Sequence, residues 1–143
     1  MNDWTRMTME DMRAHGGAIT QGPLAGVPAL ILTTTGAKSG EKRTTLVDYY
    51  TRDGDAYVVA ASKGGAPTNP HWYHNLVANP RASIWVNGET FEVTARVTTG
   101  AERDRLYEHH GDAIPVFKTY PPKTDRIIPV IVLAPVVAVG AER

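Results

Sequence analysis

Asn87-Gly88 constrains this chain more than any other pair of residues. It stands between an apolar run at 82–86 and a run that alternates strictly. In the second run Phe91, Val93, Ala95 and Val97 face one way, while Glu92, Thr94 and Arg96 face the other. Period-two alternation marks a strand with one buried face, and Asn-Gly between two strands marks a two-residue hairpin. The chain must therefore build antiparallel sheet.

The rest of the chain extends that sheet. Residues 29–34 form a short apolar, β-branched run that reads as a buried strand, followed by a polar loop over 35–41. Residues 44–51 and 56–61 read as strands joined by the Asp53-Gly54 turn into a second hairpin. Asn69-Pro70 predicts a helix start, with Asn69 as capping side chain and Pro70 in the first position; Pro80 ends that helix by Asn79. Thr99 to Glu102 fits a capping box and predicts a helix to about His110. Residues 126–133 form a last strand, which Pro129 places at an edge or bulge. Two hairpins without a β-α-β rhythm favour an antiparallel sheet curled into a small barrel with helices outside.

Composition narrows the function. The 143 residues suit one domain, 1–143, in which 1–17 is an N-terminal helix or arm. There is no cysteine, which excludes disulfides, thiolate metal sites and cysteine nucleophiles and fits a cytoplasmic location. The formal net charge is zero, against a general nucleic-acid binder. No apolar run reaches the roughly 20 residues that span a bilayer; the longest, 127–139, is broken by Pro129 and Pro135. The N-terminal segment is not a secretory signal. It can form an amphipathic helix with Trp4, Met7 and Met12 on or near one face, which packs on the domain or touches the inner face of a membrane peripherally.

Four segments carry candidate chemistry. In Gly36-Ala37-Lys38-Ser39-Gly40-Glu41-Lys42-Arg43, two glycines and three cations can grip a phosphate, or form a solvated basic turn. In Ala60-Ala61-Ser62-Lys63-Gly64-Gly65, small residues at a strand end let a flat ring lie on the backbone; the alternative is a flexible loop. His71 and His74 share a helix face, but no third metal ligand stands at fixed spacing, so no metal site is expected. Trp72 between them reads as core or pocket wall. The stiff, apolar stretch 114–122, with Ile114, Phe117 and Tyr120, can line a pocket as a lid or pack as a crossover.

In combination these segments resemble the deazaflavin-dependent nitroreductases, also described as F420-dependent quinone reductases. The matching stretches are Leu30 to Gly40, Arg52-Asp53-Gly54, Val59 to Gly65, Asn69-Pro70-x-Trp72-Tyr73-x-Asn75-Leu76-x-Ala78-Asn79-Pro80, and Thr124-Asp125-Arg126-x-Ile128-Pro129-Val130. The likeness spans about Leu30 to Pro135. It implies a flavin-reductase-like split β-barrel, six-stranded and antiparallel with flanking helices, that binds coenzyme F420. By the same resemblance Ala37, Lys38, Ser39, Arg43 and Thr44 hold the phosphate and the start of the oligoglutamate tail. Thr45, Leu46, Val47 and Asp48 lie along the deazaflavin, Ala60, Ala61, Ser62 and Lys63 sit at the ring edge, and His71, Trp72, Tyr73, His74 and Asn75 close the pocket with Phe117.

The resemblance implies hydride transfer to a small electrophilic acceptor such as a quinone, enone or nitro compound. It explains why no acid–base dyad stands out, since the protein need only bind, orient and shield the cofactor. The nitroimidazole-activating member carries tyrosines around its substrate; the corresponding positions here read Ile114, Phe117 and Tyr120. One hydroxyl remains, so Tyr120 is the candidate proton donor, with Ser62 as a second catalytic candidate, and the apolar wall favours flat quinones over nitroimidazoles. The competing readings are an FMN-dependent split-barrel oxidoreductase and a non-catalytic F420 carrier, the latter favoured if Phe117 and Trp72 block the space beside the ring. Either a monomer or a homodimer fits the sequence.

Overall fold

The structure is a computed structural model and describes residues 3–49, 52–53, 55–120 and 126–136, without the side chains of residues 52–53, 64 and 116–117. The helices are α1 (Asp3–Ala14), α2 (His71–Ala78) and α3 (Gly100–Ala113). The strands are β1 (Ala29–Thr35), β2 (Lys42–Asp48), β3 (Arg52–Asp53), β4 (Ala56–Ala60), β5 (Arg81–Val86), β6 (Glu89–Val97) and β7 (Val130–Pro135). Among the described residues they form one antiparallel sheet in the order β2-β1-β5-β6-β7-β4-β3.

The two edges of this sheet are neighbours in the chain. Laid flat, seven strands would separate β2 from β3 by about 29 Å, at about 4.8 Å per interval. Only four positions separate Asp48 from Arg52, a reach of at most about 14 Å. The sheet therefore curls until its ends meet, and β2 with β3 count as one strand of a six-stranded split barrel. The interior confirms the closure. One cluster gathers Leu30 and Leu32, Val47, Tyr57 and Val59, Ile84 and Val86, Val93, and Ile131 and Leu133, so every strand of the barrel contributes inward side chains at alternate positions.

Two smaller clusters cover the outside. Met9 and Met12 of α1 pack with Ile19 on Ala29 and Ile31, the outward residues of β1. This strand is covered on both faces, which is why its sequence is apolar without alternation. Leu106 and Tyr107 of α3 pack on Ala56, Val58 and Ala60 of β4 and on Val130 and Val132 of β7.

The Asn87-Gly88 hairpin forms as its residues dictate. Asn87 has φ 51° and Gly88 φ 84°, the paired positive angles of a type I′ turn. Along β6, Phe91, Val93 and Ala95 pack on the barrel core as expected, whereas Val97 is exposed at the strand end.

Other local expectations are corrected. The second hairpin is only two pairs deep, Arg52 with Tyr57 and Asp53 with Ala56, because β2 pairs with β1 instead. Pro129 precedes β7 rather than interrupting it, so β7 lies inside the sheet between β6 and β4. Pro70 itself occupies the N-cap of α2. Thr99 caps α3 without a side-chain bond, and Glu102 pairs instead with Nη1 and Nη2 of Arg96 at 2.7 and 3.0 Å; α3 runs on to Ala113. On α1 the buried methionines are Met9 and Met12, while Trp4 and Met7 are exposed. Among the described residues no helix is long and apolar enough to cross a membrane.

Candidate active site

A cavity of about 1240 Å³ runs along β2. Val47 points into the barrel, so by alternation Thr44, Leu46 and Asp48 share the outer face, and all three line the cavity. Typical ligand pockets measure about 300–1,000 Å³. This one suits a long ligand rather than a compact one.

One end is cationic. Gly36, Ala37, Lys38 and Ser39 line it together with Arg43. The loop is folded tightly on itself: the Gly36 amide donates to the Glu41 carbonyl at 2.7 Å, and the Gly40 amide to the Gly36 carbonyl at 3.0 Å. A Cβ on Gly36 would stand 2.5 Å from Ser39 Oγ and would push that hydroxyl off the Glu41 amide it accepts. The Lys38 and Arg43 side chains are both exposed, and Arg43 makes only a loose 3.4 Å contact with Glu41.

Asn75 of α2 anchors this end. It is buried, its Oδ1 accepts the Ala37 amide at 3.0 Å, and its Nδ2 donates to Thr34 Oγ1 at 3.0 Å. The same helix presents Trp72, His71 and His74 to the cavity.

The opposite wall comes from the loop after β4. Ala60, Ser62 and Lys63 line the cavity, and Lys63 adopts φ 47°, a left-handed conformation costly for a side chain other than glycine. Arg126 fixes this loop from behind. Its guanidinium donates to the carbonyls of Ala66 (2.8 Å), Ala61 (3.1 Å) and Ser62 (2.6 Å) and to Asn69 Oδ1 (2.7 Å). This is why Asn69 does not cap α2: its side chain is committed to Arg126.

The cavity thus brings together almost all the residues expected to hold the cofactor. The exceptions are Ala61, which is buried in the barrel core with its carbonyl on Arg126, and Tyr73, which packs on that core and edge-on to His74. The Phe117 side chain lies outside the described residues. Ile114 and Tyr120 do not line the cavity; they pack against the α3 cluster. Burial raises the Tyr120 phenol above its ordinary range, and the nearby Asp48 carboxylate adds to the rise. Asp48 itself is pushed up to about 6 by burial.

Sequence reasoning missed Trp4, Thr5 and Leu24, which reach the cavity from the N-terminal segment, and Thr34 and Pro70. It also gave Arg126 no role. The signal for Arg126 was its place in the matching Thr-Asp-Arg stretch, but its partners lie 57 to 65 positions away.

A closed antiparallel split barrel with a long outer cleft, cationic at one end and lined by Ala60, Ser62 and Lys63 on the opposite wall, has the flavin-reductase-like architecture. The family model for F420H(2)-dependent quinone reductases matches residues 4–135. The chain belongs to that family and is an F420H(2)-dependent reductase. An F420H(2)-dependent quinone reductase of Mycobacterium tuberculosis is 46% identical, over 74% of this chain and 72% of the relative. Among solved structures, an F420-H2 dependent reductase is 40% identical, covers 74% of this chain and 93% of its own, and superposes with a TM-score of 0.67. A chain solved as a domain-swapped dimer is 37% identical, covers 92% of this chain and 97% of its own, with a TM-score of 0.69. The family match begins at residue 4, well before the Leu30 at which the motifs start, and so includes the α1 residues that touch the cavity.

The residues present fit reduced F420, a long ligand with a flat ring at one end and a phosphate and carboxylate tail at the other. Lys38, Ser39 and Arg43 offer charge and donors to anions at one end. Ala60 leaves room for a ring at the other.

Proposed function

We propose that this chain reduces flat quinones with hydride from F420H(2), working as one split-barrel domain, 1–143, with 1–17 as an arm against the cleft. The observation that carries this reading is the single cavity that joins the cationic loop, the length of β2 and the Ala60–Lys63 wall. Lys38, Ser39, Arg43 and Thr44 hold the phosphate and the start of the tail. Thr45, Leu46, Val47 and Asp48 run along the ring, with Ala60, Ser62 and Lys63 at its edge and His71, Trp72 and His74 closing over it. When bound, reduced F420 supplies a hydride, because carbon stands where a flavin has its reactive nitrogen.

The protein's part is placement and exclusion of water. Asn75 and Arg126 lock the two loops, so the ring meets a fixed wall rather than a mobile one. The cleft wall near the ring includes Leu46, Ala60 and Trp72, which favour flat, apolar acceptors over polar nitroimidazoles. The domain-swapped dimer among the similar structures supports a homodimer. Steady-state reduction of menadione with F420H(2) tests the reading. Turnover of menadione with weak or absent turnover of a nitroimidazole is expected; binding of F420 without reduction of any quinone would make the chain a carrier instead.

A further inference from the structure

We propose that Asp48 is the proton donor that completes reduction of the acceptor. The inference rests on the F420-dependent reading above and assigns the one step that hydride transfer leaves open.

Asp48 is the only carboxyl side chain among the described residues that line the cavity. Its position along β2 matters. Arg43 marks the cationic end, and Asp48 stands five residues further on, about 17 Å at about 3.3 Å per residue. With the anionic tail on Lys38 and Arg43, the reacting ring and its acceptor lie at the Asp48 end. No lysine, arginine or histidine among the described residues forms an ion pair with Asp48. The other charged or titratable groups on the cavity wall are Lys38 and Arg43 at the far end, Lys63 after β4, and His71 and His74 on α2. Tyr120 lies within electrostatic reach of Asp48 and is neutral at physiological pH.

These surroundings make Asp48 an acid. Burial favours the uncharged form of a carboxyl and lifts it to about 6, near the operating range of a general acid. The Tyr120 phenol is raised above its ordinary value and is the weaker acid of the two by several decades.

The chemistry balances with no further reactant. A quinone takes up one hydride and one proton to become a hydroquinone. The hydride's electron pair enters the conjugated system and leaves negative charge on a carbonyl oxygen. The O–H bond of the Asp48 carboxyl breaks as the O–H bond of the hydroquinone forms. Water entering as the product leaves returns a proton to the carboxylate.

The test pairs kinetics with a direct titration. In the cofactor-free protein, ¹³C-NMR of labelled aspartates should show a carboxyl titrating near pH 6 that is absent from Asp48→Asn. In menadione reduction, kcat should fall as pH rises through that midpoint. Asp48→Asn, measured at saturating F420 so that any change in cofactor affinity does not enter, should lose this pH dependence and about 100-fold in kcat, the low end of general-acid contributions. Asp48→Glu, which keeps a titrating carboxyl, should restore much of the rate and the pH dependence. A native protein that neither binds F420 nor reduces menadione defeats the F420 reading. A native protein that does both while Asp48→Asn keeps its full rate and pH dependence, or while only Tyr120→Phe loses the rate, overturns the assignment of Asp48 alone.

Discussion

Asn75 Oδ1 and the Ala37 amide lie 3.0 Å apart, a hydrogen bond that joins α2 to the cationic loop across 38 positions of sequence. The other end of the same amide, Nδ2, holds Thr34 at the end of β1. One buried side chain therefore sets where the Lys38 end of the cleft sits relative to the sheet.

Asn75→Ala should show this directly. It leaves the buried Thr34 hydroxyl and the part-buried Ala37 amide without their partner, at a cost of about 1–3 kcal/mol. Thermal denaturation should register the loss. F420 should bind roughly tenfold more weakly, about 1.4 kcal/mol, because the loop that meets its phosphate is no longer pinned. An unchanged affinity would separate the loop from the binding site.

Arg126 plays the matching part at the ring end. Arg126→Lys keeps the charge but not the planar fork that reaches three carbonyls and Asn69 at once. We expect destabilisation of about 2–3 kcal/mol, the scale of hydrogen bonds to a charged group. Turnover should fall more than F420 affinity, since the tail contacts at Lys38 and Arg43 are untouched. Native-like stability and turnover in this variant would show that the Ala61–Asn69 loop holds its shape alone.

Two buried groups shape the response to pH in opposite directions. His110 on α3 is held neutral by burial, its pKa pushed down to about 4 from the ordinary 6.5. The unfolded chain takes the proton first, so this contribution to stability is complete above pH 6.5 and is lost as pH falls towards 4. Asp48 is raised from 3.8 to about 6, so the folded chain takes its proton first and gains stability as pH falls from 6 towards 3.8. Asp48→Asn removes that gain. The variant should be more stable than the native protein at pH 7.5, by at most about 3 kcal/mol, and should lose stability more steeply between pH 6.5 and 4. Parallel melting-temperature profiles would contradict the burial of Asp48.

Much of this architecture could be read from local pattern. Asn87-Gly88 and the Phe91–Ala95 alternation are short-range signals, and the structure keeps them. The apolar 29–34 run and the strand before Ser62 were equally clear, because burial on both faces leaves no polar residue to confuse them. What escaped was decided by distant partners. Asn69 has the chemistry of a helix cap, but Arg126 outcompetes the helix amides for it. Glu102 completes a capping box in sequence and pairs with Arg96 in space. The pairing of β2 with β1 across the folded loop at 36–41 carries no short turn signature, so the run from 44 to 51 looked like one arm of a hairpin rather than the strand that closes the barrel.

The cleft followed the same rule. The loop at Lys38, the β2 residues and the wall at Ala60 were legible because each is a contiguous stretch. Trp4, Thr5 and Leu24 were not, because nothing in their own neighbourhood marks them as cavity wall. Tyr120 was named from its place in the chain, and the α3 cluster takes it up instead.

The central claim is that the cleft along β2 is built for F420, with its anionic end on Lys38 and Arg43. A side-by-side fluorescence titration of the native protein, Lys38→Ala and Arg43→Ala with F420 and with FMN tests it most directly. The account predicts micromolar or tighter F420 binding, much weaker FMN binding, and a loss of about 1.5–3 kcal/mol in each variant that shrinks for a deazaflavin lacking phosphate and tail. FMN binding as tight as F420, or F420 binding indifferent to both substitutions, would contradict it.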